Sequence, residues 1–197
     1  MKTLVSYLAV IIAFSMIAGQ AEAQTSYNIK SEKITVAGSS SLHDWVSEVT
    51  KVEWSGVMKV ENRKLIEISK VYVRIPVTAI KSDKGRIMDN KTYEAFDDKK
   101  HPTISYQMSG ATISGDVIKA TGTLSMAGAS KPIEMDVKYK MMTNGDIQLI
   151  GSYTMNMRDY KMEPPTAVMG TIRVGEEITV NFDLMVSPGK DISQTKK

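Results

Sequence analysis

The stretch "GSSSLHDW", Gly38 to Trp45, holds the three side-chain types of a hydrolase triad in Ser41, His43 and Asp44. Triad members converge from separate parts of a chain, and near neighbours on an extended segment cannot adopt that geometry. No "GxSxG" elbow accompanies them. His43 and His101 are the only histidines, whereas a zinc site needs three or four ligands. The carboxylates that could complete such a set are scattered, so His43 reads as a loop residue bonded to backbone. With no cysteine in the chain, thiol catalysis, thiolate metal sites and disulfides are all excluded. The sequence therefore nominates no catalytic residue and no metal ligand, and the expectation is a protein that is not an enzyme. One polar cluster keeps two readings. In "MRDYKMEPPTA", Arg158, Asp159 and Tyr160 interrupt an alternating pattern just before Pro164 and Pro165. Arg158 suits either a bidentate grip on a phosphate or an ion pair with a neighbouring carboxylate.

The apolar side chains say more. Fourteen methionines less Met1 and Met16 leave twelve beyond the first segment. Met58, Met108, Met126, Met135, Met141, Met155 and Met157 fall on one parity of extended segments. Thioether side chains repack at low cost, so they either fill an irregular core or form a compliant wall around a flexible hydrocarbon. Aromatic residues are sparse. Buried tyrosines need a partner for the hydroxyl, so Tyr106, Tyr139 and Tyr153 are either satisfied in a core or oriented toward a ligand's polar group.

These side chains must be positioned by strands. After Pro132 the chain alternates strictly, with Ile133, Met135, Val137, Tyr139 and Met141 on one face and Glu134, Asp136, Lys138 and Lys140 on the other. "DWVSEVTKVEWSGVMKVE" reads as one long two-sided segment with Val52, Trp54, Met58 and Val60 together. Val71, Val73, Ile75 and Val77 share a parity, as do Ile104, Tyr106 and Met108, and Ile118, Ala120, Gly122, Leu124 and Met126. "TNGD" at Asn144-Gly145 predicts a type I′ hairpin. Its return strand groups Ile147, Leu149, Tyr153, Met155 and Met157, and a last strand groups Ile178, Val180, Phe182, Leu184 and Val186. Only "KGRIMDNKTYEAFD", Lys84 to Asp97, spaces Ile87 or Met88, Tyr93 and Phe96 as a helical face would, with Pro102 closing the excursion. The pattern predicts an all-β fold, an extended antiparallel eight-stranded barrel with one or two short helices. Closure removes exposed edges, and a tall eight-stranded barrel has room for one small ligand.

The chain is expected to be exported. Lys2, the apolar run "LAVIIAF" from Leu8 to Phe14, and "AEA" at Ala21–Ala23 have the layout of a cleaved leader. The predicted organisation is a signal peptide at 1–23, one barrel domain at 24–187 and a polar flexible tail at 188–197, with the mature chain beginning at Gln24. The expected location is periplasmic or secreted. The formal net charge is +3 and interspersed, which argues against nucleic acid.

Several segments resemble the YceI-like, polyisoprenoid-binding proteins. "VRIPVTAIKSDKGRIMDNKTYEAFDDKKHPTISYQMS", Val73 to Ser109, is similar to their extended segment, charged short helix and "yP-x-i-x-F" strand. "TGTLSMAGASKPIEMDVKY", Thr121 to Tyr139, resembles their "tGdLtl-nGvTkPv-l" hairpin, and "MRDYKMEPPTA" their "kDF-i" segment. His101, Ala129 and Tyr160 depart from the common pattern. The resemblance implies a lipocalin-like barrel that carries or sequesters a long-chain isoprenoid or related lipid, a quinone included. It implies no cofactor other than that bound lipid. On this reading the lining is Trp54, Met58, Val73, Ile75, Phe96, Ile104, Tyr106, Met108, Leu124, Met126, Met135, Val137, Tyr139, Tyr153, Met155, Met157 and Phe182. His43, Arg158 and Tyr160 are the candidate head-group contacts. Expected partners are a small lipid, no nucleic acid and no transmembrane segment in the mature chain, with a homodimer left open. The alternative is a non-enzymatic structural or interaction module whose barrel core is simply packed.

Overall fold

The strict alternation after Pro132 becomes strand β8 (Ala129–Met141) in the computed structural model, which describes residues 24–167 and 170–189. Ile133 and Val137 are buried and Met135, Tyr139 and Met141 half-buried, while Glu134, Asp136, Lys138 and Lys140 are exposed. Alternation likewise makes β6 (Thr103–Ser114), β7 (Val117–Met126), β9 (Ile147–Asn156) and β11 (Ile172–Pro188). With β1 (Thr25–Ser40), β3 (Glu53–Glu61) and β4 (Lys64–Pro76) they form an antiparallel wall in the order β1-β3-β4-β6-β7-β8-β9-β11. The wall closes where β11 pairs with β1, from Tyr27↔Pro188 to Ser40↔Val174. The result is the eight-stranded barrel. The charged outer face of β8 is the reverse of a lipid-facing barrel wall.

The long segment after Asp44 is two strands, β2 (Trp45–Val49) and β3. Both pair with the same edge of β1 in one continuous register, Gly38↔Trp45 above and Asn28↔Ser55 below. The interruption at Thr50–Val52 faces a second one, the 3₁₀ turn Val77–Ala79 that separates β4 from β5 (Ile80–Ser82). Thr50 donates to the Ala79 carbonyl through both its amide, at 2.9 Å, and its hydroxyl, at 3.0 Å. At this level the wall divides. β5 follows β2 through Ser47↔Ser82, whereas β4 stays with β6 up to Pro76↔Thr103.

The helix α1 (Arg86–Phe96) connects the two sides of that division. Asp89 is buried on it and accepts from the Ser82 amide at 2.7 Å, and the Tyr93 hydroxyl donates to the Thr78 carbonyl at 3.0 Å. These bonds fasten the helix to β5 and the adjoining turn. Of the two alternatives for its apolar face, Met88 turns inward, whereas Ile87 is 78% exposed. Phe96 is buried, and Asp97 ends the helix in the left-handed region with φ of 49°. Among the described residues one α-helix and two 3₁₀ turns therefore accompany the strands, the second turn being Met157–Tyr160. The short strand β10 (Thr166–Ala167) pairs only with the start of β11.

The Asn144-Gly145 hairpin differs from its predicted type. Met141 pairs with Ile147, the Met142 amide donates to the Asp146 carbonyl at 2.9 Å, and only Gly145 has positive φ, 87°. The loop is a turn on Thr143–Asn144 followed by a left-handed glycine, because Asp146 is kept out of the strand to serve as an acceptor. Its carboxylate receives Lys30 at 2.6 Å, Ser187 at 2.6 Å and Asn144 at 2.8 Å. The two-residue geometry appears instead at Ala127-Gly128, where both residues have positive φ between Met126 and Ala129. The His101 ring lies against Gly128 there, and a Cβ on that glycine would come within 2.7 Å of Nε2.

Below this level Tyr27, Met58, Leu65, Ile147 and Val186 are buried and fill the end of the barrel that carries the 142–146 loop. The predicted leader at 1–23 and nearly all of the predicted tail lie outside the described residues.

Candidate ligand-binding cavity

Inside the wall lies a cavity of about 410 Å³, within the range of roughly 300–1,000 Å³ usual for small-molecule sites. It runs from Ile118, Ile68 and Leu184, just above the packed end, to the divided end of the barrel, where Leu42, His43 and Lys84 line it and are exposed. The helix α1 forms part of its cover through Met88, Lys91, Thr92, Ala95 and Phe96. The division of the wall explains the opening: β5 and β6 part, and α1 bridges them instead of a ninth paired strand.

Most of the nominated lining is brought together. Trp54, Val73, Ile75, Phe96, Ile104, Tyr106, Met108, Leu124, Met126, Met135, Val137, Tyr153, Met155, Met157 and Phe182 all border the cavity. Met58 and Tyr139 do not. Both have the inward parity, but they stand on the packed side of the barrel, where Met58 is 1% exposed and Tyr139 donates to the Gly115 carbonyl at 3.1 Å. Parity finds the face and is blind to height along the barrel axis.

Residues outside the nominated set also contribute. Val71, Ile118, Ala120, Ile133, Leu149, Ile178, Val180 and Leu184 share the inner parity already read from their strands. Ile34, Val36, Trp45 and Met162 were harder to find. The alternation of β1 is broken by irregularities in its pairing with β11, between Ile29 and Ser31 and between Gly38 and Ser40, and Met162 follows a turn in which no period applies.

The polar candidates separate clearly. His43 is at the opening, with Nδ1 2.8 Å from the Asp44 carbonyl and its amide donating to Ser40 Oγ at 3.1 Å, so it is a backbone-bonded loop residue. Arg158 is outside the cavity. Its Nε donates to Glu176 at 2.6 Å and its Nη1 to Glu163 at 3.2 Å, the ion-pair alternative of its two readings. These carboxylates raise the Arg158 pKa, Glu176 first, and Arg158 holds that of Glu176 below its ordinary value. Tyr160 is 2% exposed and does not border the cavity. Burial, with help from Tyr153 and Asp159, pushes its hydroxyl up to about 12. No group of three or more His, Asp or Glu residues able to hold a metal occurs among the described residues.

One hydroxyl remains. Tyr106 borders the cavity, is 9% exposed, and its oxygen has no hydrogen-bond partner among the described residues. Burial raises its pKa.

The family profile described as YceI-like domain matches residues 23–186. No curated protein matches the chain. Among solved structures, Burkholderia cenocepacia BcnA superposes with a TM-score of 0.65 at 13% identity, covering 79% of this chain and 96% of that one. A polyisoprenoid binding domain from Saccharophagus degradans, implicated in plant cell wall breakdown, gives 0.64 at 10% identity, covering 84% and 99%. The Campylobacter jejuni YCEI protein gives 0.56 at 22% identity, covering 72% and 86%. At these identities the likeness shows the shared barrel fold.

Proposed function

Because the chain belongs to the YceI-like family, we propose that it is an exported binding protein that carries or sequesters a long-chain isoprenoid, such as a quinone, inside the barrel. The observation that carries this reading is the cavity itself: about 410 Å³, bordered almost throughout by aliphatic, methionine and aromatic side chains, packed at one end and reaching the surface at the other. A core that was merely filled would leave no such space. Hydrocarbon burial supplies affinity without polar contacts, since each methylene contributes about 0.8 kcal/mol and one isoprene unit on the order of 3–4 kcal/mol. Seven methionines on this lining can follow the methyl branches of a flexible chain: Met88, Met108, Met126, Met135, Met155, Met157 and Met162. The polyisoprenoid-binding neighbour supports the same ligand class.

Among the described residues no acid–base pair supports an enzymatic reading. His43 is bonded to backbone, and Arg158 meets its carboxylates outside the cavity. Export rests on the layout of residues 1–23, with cleavage expected near Ala23–Gln24 and a periplasmic or secreted destination.

Native mass spectrometry of gently purified protein, followed by organic extraction, tests the carrier. A retained isoprenoid is the expected result, and the same spectrum reads whether the chain pairs with a second copy. Protein that is ligand-free in every preparation, and that takes up no added isoprenoid, overturns the reading. For export, the mature chain should begin at Gln24.

A further inference from the structure

Neighbouring strands set the floor of the cavity at one level. On β11, Phe182 and Leu184 border the cavity, whereas Val186, the next residue on the same face, does not and is 0% exposed. On β9, Leu149 borders it, and Ile147 does not and is likewise 0% exposed. These residues are cross-strand partners, Leu184 with Leu149 and Val186 with Ile147. On β4 the same step separates Ile68, which borders the cavity, from the buried Leu65, which does not. Space for a water molecule therefore ends between two adjacent rungs of the β9–β11 ladder, and the lower rung is closed.

Leu149, Leu184, Ile68, Ile118 and Val137 surround this closed end, and none can pair with a polar group. The charged side chains bordering the cavity, Lys84 and Lys91, are on or just before α1 at the open end, and His43 is there too. Burying a polar head among the aliphatic side chains would cost its hydration without compensation, so a cargo with one polar end enters tail first. From Val174, opposite Ser40 at the opening, β11 runs about ten residues to Leu184. At about 3.3 Å per residue and a tilt of about 40°, that is a depth of about 25 Å along the barrel axis. One extended isoprene unit puts four carbon–carbon bonds in line and advances about 5 Å.

We propose that the Leu149–Leu184 rung is a chain-length stop, and that the cavity shelters about five isoprene units and leaves any further units outside. Each unit up to the stop adds buried surface, and units beyond it add none. Leu149 and Leu184 determine this specificity because their side chains, backed by Ile147 and Val186, form the surface that the end of the tail meets. The assignment rests on the carrier reading and adds to it a tail length and the residues that set it.

The test measures displacement of an apolar dye from the cavity by prenyl alcohols of roughly two to seven units. Wild type is expected to gain at least about tenfold in affinity per unit up to about five units, and less than about twofold per unit beyond. Leu149→Ala lowers the floor and should move this break about one unit longer. Leu149→Phe raises it and should move the break about one unit shorter. Chain lengths are compared on the same variant, so a general loss of stability, which weakens all of them together, does not imitate a shift. Should Leu149→Ala fail to fold, Leu184→Ala reads the same lengthening from the other side of the rung. A gain that continues evenly through the longest alcohol, or a break that stays in place in every folded variant, overturns the stop while leaving the carrier intact. If wild type binds none of the alcohols, the carrier reading itself falls and takes the stop with it.

Discussion

The ring of Tyr106 rests on Gly122 across the β6–β7 ladder, so closely that a Cβ at Gly122 would come within 2.5 Å of both the Gln107 carbonyl oxygen and the ring. The carbonyl belongs to the ladder and cannot move away. Gly122→Ala should therefore displace the tyrosine or strain the strand pair, lowering stability by about 1–3 kcal/mol. A urea midpoint decreased at unchanged slope is the expected signature. A variant as stable as wild type would show that the ring is not seated as described.

The faces of the barrel were legible in the sequence because period two is a local property. Residues Ile133 to Met141 announce their burial without reference to any other strand. What escaped is set by distant partners. Thr50–Val52 looks like more strand, and it breaks because Thr50 bonds to Ala79 at the level where β4 gives way to β5. Asn144-Gly145 carries a hairpin signal, but Lys30 and Ser187 claim the Asp146 carboxylate from other strands and fix a longer loop. Met58 and Met135 are equivalent in parity, and only their heights in the barrel make one a plug and the other a lining residue. The lone hydroxyl of Tyr106 was one of three tyrosines that the sequence could not rank, since its lack of a partner is visible only when every neighbour is placed.

Asp146 makes the barrel's packed end sensitive to acid. Lys30 first, then Ser187 and Asn144, hold its carboxyl down at about 2, against 3.8 for the free group. The folded pKa lies below the unfolded one, so the stabilisation is fully present above pH about 4 and is lost as pH falls toward about 2. Asp146→Asn lacks this titration. Its melting temperature should be lower than wild type near neutrality and converge on it between pH 4 and pH 2. A constant gap across that window would show that the carboxylate does not carry the effect.

Arg158 is held by Glu176 and Glu163 on the surface, away from the lining. Exposed ion pairs contribute little to stability and are screened by salt. Arg158→Ala should leave isoprenoid affinity unchanged and the melting temperature nearly so. A loss of binding specific to phosphorylated probes would restore the phosphate-gripping role that its spacing also allowed.

Met135 and Lys138 lie on opposite faces of the same strand, one bordering the cavity and the other exposed. Met135→Lys places an ammonium group against aliphatic neighbours with no described carboxylate on the lining to receive it. Paying for that desolvation should lower stability by about 3 kcal/mol and abolish isoprenoid binding. Lys138→Glu changes charge on the solvated face and should alter neither. Chemical denaturation and dye displacement on the two variants read both quantities. Equal effects from the pair would place the water on the wrong side of β8, and with it the cavity.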